Sequence, residues 1–130
     1  MPNKRDLRME KYKISTNRYR ELKYFCMQYR EKKSRLRAIT ELSVSSMERS
    51  KGGNKTSDRT ADIAMQRLQL ENDIQMIETA AIEADSALYS YIISNVVDGI
   101  PYEYLSVPAG RRQFYQSRRK FFNILSIKKG

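Results

Sequence analysis

Apolar positions recur with a helical period along most of the chain. After Arg18 they fall at Leu22, Phe25, Cys26, Tyr29, Leu36 and Ile39. That stripe predicts a helix of roughly 25 residues, with Thr16 or Asn17 as its N-cap and Lys32 as an interruption. A second stripe is Ile63, Leu70, Ile74, Ile77, Ala81 and Ala84, with Ala64 and Leu68 beside it. Ile63, Leu70, Ile77 and Ala84 are spaced by sevens, the repeat of a long packed seam. Ser57 or Asp58 is suited to cap this helix, and Asp85-Ser86 to break it. A third helix carries Leu88, Tyr91, Ile92, Val96 and Val97 and stops at Gly99. A short helix follows over 101–105, opened by Pro101. Val107-Pro108-Ala109-Gly110 reads as a turn. The last helix runs from Arg111 to about Leu125, with Phe114, Phe121, Phe122 and Leu125 as its apolar face. No segment alternates with period two, so no sheet is expected.

The predicted fold is all-α: a helical bundle with two long helices and a C-terminal helix-turn-helix over residues 100–127. Residues 1–43 form a basic N-terminal segment and long helix. Residues 44–57, rich in Ser, Gly, Asn and Lys around Gly52-Gly53, read as a flexible linker. Residues 58–130 form the helical body. The long helices are expected to pair two copies into a homodimer.

Charge sharpens this picture. The net charge is +10 over 130 residues, a field that attracts polyanions. It is distributed in blocks. Residues 1–55 hold 16 basic and 6 acidic groups, residues 56–110 hold 2 and 9, and residues 111–130 hold 7 and none. Two basic ends flank an acidic middle, and double-stranded DNA is the first partner expected. Cys26 is the only cysteine, which fits a reducing cytosol. An anionic membrane is the second candidate partner, but no apolar run approaches a membrane span, and the acid in the middle helices weighs against a membrane-surface role, so no membrane partner is expected.

The C-terminal pattern of short helix, tight turn and longer basic helix is that of a helix-turn-helix. In that motif the first residues of the second helix reach base edges. Here those residues are Arg111, Arg112 and Gln113. Arg112, Gln116 and Arg119 share a face, with Lys120 beside it, away from Phe114, Phe121 and Leu125. Arginine pairs bidentately with guanine and glutamine with adenine. Arg118 and Lys120 suit phosphate. Lys11 and Lys13, in the basic N-terminal segment, are further phosphate candidates. Among the N-terminal tyrosines, Tyr29 is expected to pack against a helix. Tyr12 and Tyr19 are open to base stacking.

Three stretches carry a family resemblance. They are Arg18-Tyr-Arg-Glu-Leu-Lys-Tyr-Phe-Cys-Met-Gln-Tyr29, Ile77-Glu-Thr-Ala-Ala-Ile-Glu-Ala-Asp85, and the tail from Gly99-Ile-Pro-Tyr-Glu-Tyr-Leu105 to Arg118-Arg-Lys-Phe-Phe122. Together they resemble the RinA/ArpU-type transcriptional regulators of phages and prophages, over most of the chain outside 43–57. The resemblance implies a C-terminal helix-turn-helix similar to region 4 of sigma-70-type factors. It also implies Arg111, Arg112, Gln113 and Gln116 as base-reading residues, and a sequence-specific transcription regulator as the function. Pro108 beside Ala109-Gly110 departs from the usual turn of that motif.

Enzyme chemistry is not expected. The chain has no histidine, which removes the usual general base and the commonest metal ligand. One cysteine without histidine makes neither a thiol–imidazole pair nor a zinc site. Lys51-Gly-Gly-Asn-Lys-Thr56 lacks the glycine spacing of a phosphate loop. The acidic residues from Asp58 to Asp85 are spaced as a solvated face rather than a cation site. No catalytic, cofactor or metal residue is therefore assigned. The alternative function is a phage-borne inhibitor or adaptor that binds a host nucleic-acid-handling complex, such as RNA polymerase or an RNA-guided nuclease.

Overall fold

The computed structural model describes residues 12–49 and 57–130. All of their regular structure is helical. The elements are α1 (Thr16–Met27), α2 (Tyr29–Arg49), α3 (Ser57–Ala84), α4 (Tyr89–Asp98) and α5 (Arg111–Lys129), with a 3₁₀ turn at Tyr102–Tyr104. The two long helices are α2, with 21 residues, and α3, with 28. Residues 50–56, with Gly52-Gly53, lie outside the described residues. Helix α2 itself runs on to Arg49, into the stretch expected to be linker.

The chain divides into two compact units. One ends at Gln28 and resumes at Met76; the other is Tyr29–Gln75. The helix expected to run unbroken from Thr16 is thus two helices, interrupted at Gln28. Tyr19, Leu22, Cys26 and Tyr29, spaced three, four and three apart, are all buried, so the apolar stripe gives no sign of the break. The N-cap is Ser15, one residue before the positions expected. Its hydroxyl accepts the Arg18 N–H at 3.1 Å, the side-chain bond that defines a cap.

In the first unit α1, α4 and α5 pack together with the end of α3. Leu22, Cys26, Ile77, Leu88, Ile92, Phe114, Phe121, Phe122 and Leu125 are fully buried. The aromatic rings meet edge to face. Tyr19 and Phe122 are 4.9 Å apart between centroids, and Phe121 and Phe122 are 5.1 Å apart. Each such pair adds about 1 kcal/mol beyond its burial. Arg18 joins the start of α1 to the end of α5. Its Nη2 donates to the Ser126 carbonyl at 3.0 Å and its Nε to the Ser126 hydroxyl at 3.1 Å. One carbonyl near the helix end gains a side-chain donor in this way.

The breaks fall at the expected residues. Helix α3 stops at Ala84, and the Asp85 Oδ1 accepts the N–H groups of Ala87 at 3.0 Å and Leu88 at 3.1 Å. An aspartate turn of this kind offers the backbone an alternative to continuing the helix. Helix α4 ends at Gly99, whose φ of 69° is left-handed. Gly99→Ala would place a Cβ where nothing lies within 4 Å, so only the backbone penalty of about 1 kcal/mol applies. The melting temperature should fall by about 3–5 °C. An unchanged melt would mean that the end of α4 adopts another conformation without cost.

In the second unit α2 and α3 are joined at Lys32 and Asp73, whose Nζ and Oδ2 are 2.9 Å apart with side chains 14% and 15% exposed. The charge that interrupts the apolar stripe of α2 therefore has an ion-pair partner on α3. Tyr29, Leu70 and Ile74 are buried.

One expected element is different. The short helix over 101–105 is a single 3₁₀ turn. The connection from Gly99 to Gly110 therefore holds three residues of 3₁₀ in place of an α-helix. Pro101 caps the turn in an extended conformation, and Ser106 has a φ of 53°. Pro108 in turn disfavours helical backbone at Val107. Between them these residues leave no room for another helical turn.

Candidate nucleic-acid interface

Helix α5 is built to hold one side in the core. Phe114, Tyr115, Ser117, Arg118, Phe121, Phe122 and Leu125 are buried. The side turned away carries Arg112, Gln113, Gln116 and Lys120, all exposed, with Arg119 and Asn123 half-exposed. Arg112, Gln116, Arg119 and Asn123 stand three or four residues apart and so form one row. Five of the residues expected to meet nucleic acid are thereby brought onto one face. Asn123 belongs to the same row, and sequence reasoning misses it. Its spacing from Gln116, Arg119 and Lys120 is the signal that reveals it.

Arg118 is placed differently. It is 9% exposed, inside the fold rather than on a phosphate-facing surface. Its Nε donates to Asn95 Oδ1 at 2.8 Å and its Nη2 to the Tyr19 hydroxyl at 3.0 Å. The guanidinium lies 5.0 Å from the Phe122 ring centroid. Arg118 thus joins α1, α4 and α5. Tyr19, an open candidate for stacking on a base, is occupied by the same network. Ser117, next to it, donates to Asp85 Oδ2 at 3.0 Å and ties α5 to the α3–α4 turn.

Arg111 opens α5 and is exposed. It pairs with Glu103, and its guanidinium stands 5.1 Å over the Tyr102 ring. The Tyr102 hydroxyl donates to the Ala109 carbonyl at 2.6 Å. These contacts brace the connection that leads into α5. Lys13 is exposed ahead of α1, with a φ of 59°. Lys11 lies outside the described residues.

The electrostatics of α5 are asymmetric. Its N-cap is Gly110, with no side-chain cap, and its first turn has no acidic residue. Arg111 and Arg112 instead face the positive end of the helix dipole, where each cation costs about 0.3–1 kcal/mol. At the other end Lys128 and Lys129 oppose the negative end favourably. Local propensity is thus violated at one end of this helix only, the mark of a site kept for something other than stability. Glu103 already supplies a carboxylate to Arg111; the uncapped N–H groups and exposed Arg112 are complementary to a further anion.

A separate open cleft of about 480 Å³ lies at the C-terminal end of α4. Lys23 and Met27 of α1, Asp98 and Glu103, and Tyr115 and Arg118 of α5 line it. Its two cations and two carboxylates balance. Met27, at 47%, and the nearby Tyr104, at 80%, are unusually exposed for their size.

Among the described residues no group of three or more Cys, Asp or Glu is placed to hold a metal ion. None of their helices is long and apolar enough to cross a membrane. Comparison with known proteins found no matching family model, curated protein or solved structure.

Proposed function

We propose that the chain is a sequence-specific DNA-binding regulator of the phage or prophage type, with α5 as its recognition helix. Because the short helix expected over 101–105 is a 3₁₀ turn, α4 takes the place of the first helix, joined to α5 by the connection from Gly99 to Gly110, longer than the usual turn of about three to four residues. Arg112, Gln113 and Gln116 lie along the groove and read base edges, while Arg119 and Lys120 meet phosphates. Arg111 and Lys13 add charge at the margins. The observation that carries this reading is the start of α5. That helix end has no side-chain cap and no acid in its own first turn; Glu103 pairs with Arg111, while Arg112 is exposed beside the helix N-terminus, an arrangement favourable against a phosphate backbone. The partner is double-stranded DNA, and the setting is the cytoplasm of a bacterial host.

Selection from a random-sequence DNA pool at moderate salt tests it. An enriched motif is the expected result. Retention without enrichment overturns sequence-specific reading.

A second reading has its own support in the cleft at the end of α4. Balanced charges beside exposed Met27 and Tyr104 suit a protein surface, since large exposed apolar side chains mark contact sites. On that reading the chain is an inhibitor or adaptor for a host nucleic-acid-handling complex such as RNA polymerase or an RNA-guided nuclease. Free DNA would then bind weakly and without preference, while the host complex co-purifies.

A further inference from the structure

Helix α3 carries two seams. The inner one includes Leu70, Ile74, Ile77, Ala81 and Ala84, all buried. The outer one is Ala61, Met65, Leu68, Asn72 and Gln75, with Ala64 beside it, all exposed. Its spacing is four, three, four, three, that of a coiled-coil seam. Met65 is 69% exposed and Leu68 is 54% exposed. Between Ala61 and Gln75 no charged residue stands in the outer seam. Arg67 and Glu71 flank it on one side and Asp62 on the other, while Asp58 stands at its N-terminal end. In a chain with 31% charged residues, an uncharged exposed row rimmed by charges is the pattern of a contact surface.

We propose that this outer seam binds a second copy of the chain, α3 packing antiparallel on α3. The order of residues along the seam is self-complementary. One register sets Met65 opposite the second copy's Leu68 and Ala61 opposite its Asn72. By two-fold symmetry each pairing occurs twice. The two large apolar side chains then meet at the centre, and the small alanine leaves room for each asparagine. The same register brings Asp58 beside the copy's Gln75, Asp62 beside its Gln69, and Glu71 beside its Ala64. Carboxylates then face uncharged residues, and no like charges meet.

The overlap, from Asp58 to Gln75, is roughly 25 Å long. One helix pair of that length buries less than the ~800 Å² per partner of a standard interface. The association is therefore reversible and depends on concentration.

Sedimentation of the full chain over a concentration series tests this without nucleic acid, so its outcome is independent of the DNA-binding reading. The expected result is a monomer of 15.3 kDa at low concentration, moving to twice that mass. Met65→Glu and Leu68→Glu should each weaken association at least tenfold and leave the circular dichroism unchanged, because both side chains are exposed. A chain with Ala61→Cys and Asn72→Cys should form an intermolecular disulfide on mild oxidation. Within one chain these positions are about three turns apart, beyond the reach of a disulfide, and Cys26 is fully buried. A monomer at every concentration overturns the proposal. So does a dimer that both glutamate variants leave intact, or a dimer in which the cysteine pair gives no cross-link.

Discussion

Arg118→Ala should be less stable than wild type by about 3 kcal/mol, a fall in melting temperature on the order of 10 °C. The arginine is 9% exposed and donates to Asn95 Oδ1 and the Tyr19 hydroxyl. Its removal strands the buried Tyr19 hydroxyl and takes a donor from the half-buried Asn95, and a hydrogen bond to a charged group is worth about 1.5–3 kcal/mol. The stem also fills space against Phe122, and its loss leaves a cavity. Arg118→Met keeps much of the volume and should recover part of the loss. Arg112→Ala, at an exposed position, should lie within about 0.5 kcal/mol of wild type. Urea unfolding followed by circular dichroism measures all three. An Arg118→Ala chain within about 1 kcal/mol of wild type would show that the Asn95 and Tyr19 contacts do not hold α1, α4 and α5 together.

Arg118 also marks the boundary of what is legible in the sequence. Arg118-Arg119-Lys120 reads as a uniform basic run. At 100° per residue its three side chains spread over about 200°, so a helix with one buried side must turn one of them inward. Phe114, Arg118, Phe121 and Leu125 fall four, three and four apart. That spacing already places Arg118 in the buried row, whereas its polarity alone assigns it to phosphate. The aromatic core, the break at Asp85 and the stop at Gly99 are legible because each rests on a local rule: periodicity, a side-chain turn, a left-handed glycine. The interruption at Gln28 is not, since the chain there contains neither proline nor glycine. The apolar stripe does not mark it either, because Leu22, Cys26, Tyr29 and Leu36 keep the spacing of four, three and seven that an unbroken helix has. The short helix over 101–105 fails for a different reason. Pro101 suits a first helical turn, but Ser106 and Pro108 close off the residues needed to extend it. Lys32 shows the reverse case, a charge in an apolar stripe whose partner, Asp73, lies 41 positions away and is not visible from local spacing.

If α5 reads DNA, Arg112 and Lys120 should fail in different ways. Arg112 stands in the first turn, where a recognition helix meets base edges. Arg112→Ala should weaken binding to the preferred site by about 1–3 kcal/mol, a factor of roughly 5 to 150, and hardly change binding to random DNA. Lys120 sits further along the helix and offers a point charge. Lys120→Ala should weaken both kinds of DNA alike and reduce the slope of log affinity against log salt by about 1. With Arg119, Lys120 and Lys13 neutralising about three phosphates, wild-type affinity should fall roughly 40-fold between about 50 and 200 mM salt. Fluorescence anisotropy with the selected site and a scrambled duplex, each at several salt concentrations, separates these effects. The urea melts of the same variants exclude unfolding as their cause. Equal losses for Arg112→Ala on both duplexes would make Arg112 a phosphate contact and leave the first turn of α5 with no base-reading arginine, since Arg111 is already engaged by Glu103 and Tyr102. A salt slope near zero would remove the phosphate backbone from the interface altogether and shift the weight to the charge-balanced cleft at the end of α4.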